Sequence, residues 1–177
     1  NQTTQTATGL IAGSYCVTST DANGCTVSNC ITLTEPSALS ITMSGTNISC
    51  NSGNDGTATA TVTGGTPAYS YQWDAAANSQ TTQTATGLIA GTYCVTTTDA
   101  NGCTISDCIT LTEPSVLVAD TSTLVITNVS CNGFSDGSAT VNPSGGTPSY
   151  TYQWDAAANS QTTQTATGLV ACLLYTS

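Results

Sequence analysis

Nine cysteines are the residues of this chain with the most chemistry to offer, and no His, Lys or Arg accompanies them. A His-containing zinc site is therefore impossible. Ser-His-Asp, Cys-His and Schiff-base catalysis are excluded for the same reason. So many cysteines without metal-ligand partners read as disulfides, and disulfides imply an oxidising, extracellular setting. Ten Asp and Glu face no cation, which gives a formal net charge of -10. Nothing can neutralise phosphates, so electrostatic nucleic-acid binding is excluded. A basic amphipathic membrane helix is excluded too, and no apolar run approaches the ~18–20 residues of a membrane span.

The carboxylates could do chemistry in pairs, as in glycoside hydrolysis. No recognisable motif joins any two of them, so no catalytic residue is assigned and an enzyme is not expected. Calcium is the one cofactor within reach, and only through two small clusters: Asn51, Asn54 and Asp55, and Asn132 with Asp136. Calcium wants six to eight oxygens, and each cluster offers two or three side chains. Asn, Asp and Gly also make turns, which explains the same residues without a metal. Asn47-Ile48-Ser49, Asn128-Val129-Ser130 and Asn1-Gln2-Thr3 are glycosylation sequons, weak signals in a chain this rich in Thr.

The elements that must carry these residues recur along the chain. Gln2–Leu10 returns at Gln80–Leu88 and at Gln161–Leu169. Tyr15-Cys16-Val17 returns as Tyr93-Cys94-Val95, Asp21–Cys25 as Asp99–Cys103, and Tyr71–Asp74 as Tyr152–Asp155. The offset is 78 residues from Cys16 to Cys94 and 81 from Trp73 to Trp154. The chain thus divides into the C-terminal part of a repeat (1–36), a complete repeat (37–114) and the N-terminal part of a third (115–171). Such raggedness reads as a piece of something longer. Residues 172–177 leave the repeat abruptly and resemble a translated sequencing adapter, so Cys172 is set aside. Glu35 and Glu113 fall at the unit junctions, where calcium could also act.

Thr and Ser are about a third of the chain, and Val, Ile and Tyr are frequent. These types fit pleated strands, and helix formers are scarce. Tyr69, Tyr71 and Trp73 alternate onto one strand face. Thr57–Val62 is a second extended run, and Gly64-Gly65-Thr66-Pro67 a turn between them. Tyr93, Val95 and Thr97 alternate with Cys94, Thr96 and Thr98. Asp107 shares the apolar parity of Ile105, Ile109 and Leu111, for which a bulge is one explanation. The expected fold is all-β, an antiparallel β-sandwich with a core of Tyr71, Trp73, Leu88, Tyr93 and, in the third unit, Trp154. A Trp on the third strand and Leu88–Tyr93 entering a late strand resemble immunoglobulin-like domains, with Tyr93 in the tyrosine-corner role.

Asp99–Cys103 reads as a three-residue hairpin loop with Gly102 in the left-handed region. If Asp99 and Cys103 close it, Cys94 falls opposite Cys108, and Cys16 opposite Cys30 by the same count. A non-hydrogen-bonded pair brings Cα atoms to ~4.5 Å, which suits a cross-strand disulfide. Cys16–Cys30 and Cys94–Cys108 are the expected bridges. Cys25, Cys50, Cys103 and Cys131 have open partners: Cys50–Cys103 within a unit and Cys25–Cys50 between units both remain.

In combination, several motifs resemble the SprB-type repeat of the large gliding adhesins of Bacteroidota. They are Ser130-Cys131-Asn132 with Asp136-Gly137, Gly64 to Trp73, Gly87 to Tyr93, Thr98 to Cys103 and Thr112 to Ser115. The likeness spans residues 1–171, and the cysteine pair Cys94 and Cys108 is a departure from it. The resemblance implies secretion, display on the cell surface and adhesion by long tandem arrays, and it offers no catalytic residues. The expected function is a structural stalk segment of such an adhesin, whose partners are the neighbouring repeats of its own chain. The alternatives are a module binding calcium or surface polysaccharide, and a subunit that self-assembles into filaments with partial units completed by neighbours.

Overall fold

The computed structural model describes residues 3–119 and 121–171; the adapter-like stretch 172–177 lies outside them. The described chain is all-β, built of small antiparallel sheets with three 3-10 turns at Ala75–Ala77, Thr121–Thr123 and Ala156–Ala158. β1 (Gly13–Thr20) and β2 (Thr26–Leu33) form a hairpin. The central elements are β3 (Ser40–Thr46), β4 (Gly56–Thr63), β5 (Ser70–Trp73), β6 (Thr84–Leu88), β7 (Gly91–Thr98) and β8 (Thr104–Leu111). Then follow β9 (Val118–Ala119), β10 (Val125–Thr127), β11 (Gly137–Thr140), β12 (Pro143–Ser144) and β13 (Thr165–Leu169).

The central strands make two sheets, ordered β3-β4-β6 and β5-β7-β8. Alternation decides what each presents inward. Tyr93, Val95 and Thr97 on β7 are buried, while Thr96 is exposed. Ala58 and Ala60 on β4 and Ala85 on β6 are fully buried opposite them. These small side chains leave room for Trp73, 1% exposed, and Leu88, also 1%. Large groups set among small ones, Trp73 from the facing sheet and Leu88 from the alanines' own, reach interior packing density. Tyr71 is half-buried at the edge of this core.

β3 and β8 are edge strands of facing sheets and run the same way. A Cβ on Gly45, near the end of β3, would lie 3.0 Å from side-chain carbons of Ile109 and Leu111, near the end of β8. A residue larger than Gly there would collide with them. The chain therefore enters the unit at one end, by Ser40, and leaves it at the other, by Leu111.

No bulge explains the parity of Asp107. β7 and β8 pair without a break, Val95 opposite Asp107. Asp107 is exposed on the outer strand, and its carboxylate accepts the Cys108 amide at 2.8 Å. That satisfies an open-edge donor and places a charge where another strand would pair. Asn29 does the same for the Cys30 amide at 2.9 Å in the first hairpin. The ladder shifts instead at Gly56/Thr57 and at Gly137/Ser138.

The flanking segments repeat parts of this unit. β1–β2 corresponds to β7–β8, and sheet β10-β11-β13 to β3-β4-β6. β9 and β12 pair separately, and residues 151–154, which correspond to β5, belong to no strand.

Candidate functional site

The β7–β8 loop closes as its sequence suggests. The Asp99 amide donates to the Cys103 carbonyl at 2.9 Å, the Gly102 amide to the Asp99 carbonyl at 3.0 Å, and Gly102 has φ +83°. Five steps on, Cys94 and Cys108 are direct partners joined by a disulfide, with Cα atoms 4.1 Å apart. Cys16 and Cys30 are joined likewise at 4.0 Å. Tyr93 sends its hydroxyl back to the Ile89 carbonyl at 2.8 Å, and Tyr15 to that of Ile11 at 2.8 Å. Both are tyrosine corners.

Cys25, Cys50, Cys103 and Cys131 are exposed free thiols. The within-unit bridge Cys50–Cys103 is absent for a geometric reason. Cys50 lies in the exit loop, where Asn51 donates to Glu113 at 3.2 Å and to the Pro114 carbonyl at 3.1 Å, and the Ser52 amide donates to Glu113 at 2.7 Å. Cys103 lies at the entry end, beside Thr66 and Asp99. The two thiols sit at opposite ends of the sandwich.

The calcium candidates are spread over that exit loop and its copy. Asn51 is held by Glu113, which anchors the loop rather than standing free. Asp55 accepts the Ser49 amide at 3.1 Å, and Asp136 accepts the Ser130 amide at 3.0 Å and the Ser130 hydroxyl. The Ser49 hydroxyl and amide hold the Asp55 carboxyl below the usual carboxylate range, and Ser130 does so for Asp136. No group of three or more His, Cys, Asp or Glu is gathered as a metal site among the described residues.

Other side chains organise the unit through bonds that the sequence reading did not assign. Asp99 accepts amides from Thr66, Asn101 and Cys103 at 2.8, 2.9 and 2.8 Å, which ties the hairpin tip to the Gly-Gly-Thr-Pro turn. The Thr66 bond above all, then those of Cys103 and Asn101, holds its carboxyl low against the opposing effect of burial. Asp74 caps the 3-10 turn at Ala77 and accepts the Cys94 amide at 2.9 Å, which joins β5's end to β7. Gln80 bridges the Ala77 carbonyl and both backbone groups of Thr86, and Gln83 reaches the Ala60 carbonyl. Their signal was recurrence: Asp155, Gln161 and Gln164 repeat the bonds of Asp74, Gln80 and Gln83 apart from the one to Cys94.

The third unit is where the structure departs most from the expected core. Trp154 is half-buried, whereas Trp73 is enclosed. Its indole still donates to Thr163, as that of Trp73 does to Thr82. What differs is the Trp's own sheet: β7 and β8 extend it beside β5, whereas residues 151–154 pair with no described strand. An open groove of about 590 Å³ remains there, lined by Leu117, Leu124, Val141, Tyr152 and Trp154 among others. The junction with the complete unit is marked by a bond from the Thr147 hydroxyl to the Ser49 carbonyl at 3.3 Å.

Among the described residues no helix is long and apolar enough to cross a membrane. No curated protein matches the chain. Residues 42–78 and 123–159 both match the SprB repeat. The first matched stretch starts in β3 and the second just before β10, and each ends just past the 3-10 turn that follows its Trp.

Proposed function

We propose that this chain is a stalk segment of a secreted bacterial cell-surface adhesin, a non-enzymatic spacer made of immunoglobulin-like units strung end to end. SprB repeats occur in cell-surface proteins. The observation that carries the reading is the placement of entry and exit at opposite ends of the complete unit, with β3 and β8 side by side. A unit built so adds its full strand length, ~26 Å for eight residues, to an array. The strand order supports the immunoglobulin-like part, since β3-β4-β6 against β5-β7-β8 is the A-B-E against C-F-G order of that sandwich. The disulfides support the extracellular part, because bonds of this kind persist outside the reducing cytosol.

Mechanical and surface experiments test it. Pulled from its ends, the complete unit should open in one step. Reducing Cys94–Cys108 should lengthen that step by about 45 Å, the reach of the 14-residue span it locks. An antibody against residues 37–114 should label intact cells of the source bacterium. Extension without a step, labelling only after permeabilisation, or saturable micromolar binding of a polysaccharide would each overturn the spacer reading.

A further inference from the structure

Any pull on the chain crosses the complete unit from β3, where the chain enters, to β8, where it leaves. The two strands run the same way, yet they belong to facing sheets and share no ladder. A pull on both ends draws β3 toward the entry end and β8 toward the exit end. The strands would slide past each other, and whatever joins them directly opposes that slide.

The join lies just past their ends. The Ile48 amide donates to the Thr112 carbonyl at 3.0 Å, and the Thr112 amide donates to the Asn47 side-chain oxygen at 2.9 Å. This couples the first residues after β3 to the first after β8. Glu113 adds the next step: its two carboxylate oxygens accept the Asn51 side chain at 3.2 Å and the Ser52 amide at 2.7 Å. Asn51 also donates to the Pro114 carbonyl at 3.1 Å. Five hydrogen bonds among the described residues thus tie 47–52 to 112–114. Ile48 anchors the set from inside. It is 3% exposed, and a Cβ on Gly53 or Gly56 would lie 2.9 or 3.2 Å from its methyl carbons. Leu111, also buried, packs over the same Gly56. Neither the loop nor the exit strand can shift along the other without unseating these two side chains.

The direction of the load matters as much as the number of bonds. A hairpin opened from its ends breaks its bonds one after another. Here all five bonds span the same two stretches, side by side across the pull, so they carry it together. Forced opening is governed by the unfolding rate, and that rate is set by interactions lost before the transition state is reached.

We propose that this junction is a force-bearing clamp. Asn47, Ile48, Asn51 and Ser52 on one side, with Thr112 and Glu113 on the other, set the load at which the complete unit opens. The load is the one that the stalk reading supplies, on which this proposal rests. Two motifs find a role here. Asn47-Ile48-Ser49, which has the form of a sequon, supplies an acceptor, an amide and a buried anchor. Thr112-Glu113-Pro114 supplies the latch. Both recur in the chain, as Asn128-Val129-Ser130 and Thr34-Glu35-Pro36.

The test is constant-force spectroscopy of the whole chain held at its two termini, beside urea unfolding of the same variants. Asn47 and Glu113 are exposed, so their substitution leaves the core intact. Asn47→Ala and Glu113→Ala should each make the complete unit open about tenfold faster at a given load, the rate change for about 1.4 kcal/mol of lost bonding. Asn47→Asp keeps an acceptor for the Thr112 amide and should open at close to the natural rate. Gln83→Ala loses a bond to the Ala60 carbonyl that lies off this path. It should lower the urea midpoint and leave opening under load unchanged. Clamp variants that open no faster than the natural chain would overturn the proposal. So would rates under load that follow the urea midpoints alone, Gln83→Ala included, because the junction would then be ordinary packing. Asn47→Asp opening as fast as Asn47→Ala would remove Asn47 from the clamp. Surface labelling does not depend on these rates, nor these rates on surface labelling, so the clamp and the stalk reading can fail separately.

Discussion

Thr97 is the one buried side chain among those described whose polar atom finds no partner. It is fully enclosed, and its hydroxyl meets no acceptor. A buried hydroxyl left unpaired costs about 1–3 kcal/mol, and Val is nearly the same shape. Thr97→Val should therefore raise the stability of the complete unit by about 1 kcal/mol, read as a higher urea midpoint at unchanged slope. The alternation of Tyr93, Val95 and Thr97 made the inward face of β7 legible from sequence. The missing partner was not, because it depends on what the opposite sheet supplies, and there it supplies alanines. Asp74, Asp99 and Gln80 were hidden for a related reason. Each looks like an ordinary turn residue until the amide it holds, twenty or more positions away for Asp74 and Asp99, is seen.

At the scale of elements, a hairpin and a sandwich behave differently when their surroundings are removed. β1–β2 keeps its register with no covering layer, because its loop and Cys16–Cys30 are local. Residues 151–154 lose theirs, because a strand at a sheet edge exists only by pairing. Local turn chemistry is written in adjacent residues, which is why both disulfides could be placed by counting from the loops. Cover is written elsewhere in the chain, which is why Trp154, a core residue by its motif, is half-buried where Trp73 is enclosed. Two predictions follow from this contrast. Trp73→Ala should cost about 3–5 kcal/mol in the main unfolding transition, while Trp154→Ala should leave that transition in place, which calorimetry on dilute monomer would show. Replacing Cys94 and Cys108 by Ala should cost about 3 kcal/mol, the chain-entropy value for a loop of this length, measured by urea unfolding.

For the whole molecule the governing fact is charge of a single sign. Ten carboxylates and no Lys, Arg or His mean that acid can only discharge the chain. Most proteins turn strongly cationic below their isoelectric point and redissolve; this one keeps little beyond its terminal amine. Solubility should fall as pH nears about 4.1 and should not recover at pH 2, followed by light scattering. Stability has its own pH course. Asp55, Asp99 and Asp136 titrate lower in the folded state than the ~3.9 of an unfolded Asp. Lowered values mean that the folded state binds fewer protons, so their contribution is complete above pH ~5. It drains away as pH drops below ~3.9 towards the folded values. Relief of repulsion among the carboxylates works against this loss, and the two can be separated. Asp99→Asn removes the hairpin tip's share while changing the net charge by one. Its urea midpoint should lie below that of the natural chain at pH 7, and the gap should narrow as pH falls below ~3.9 towards the folded value. A gap that persisted into acid would mean that Asp99 holds Thr66 and Cys103 by shape alone, with its charge contributing nothing.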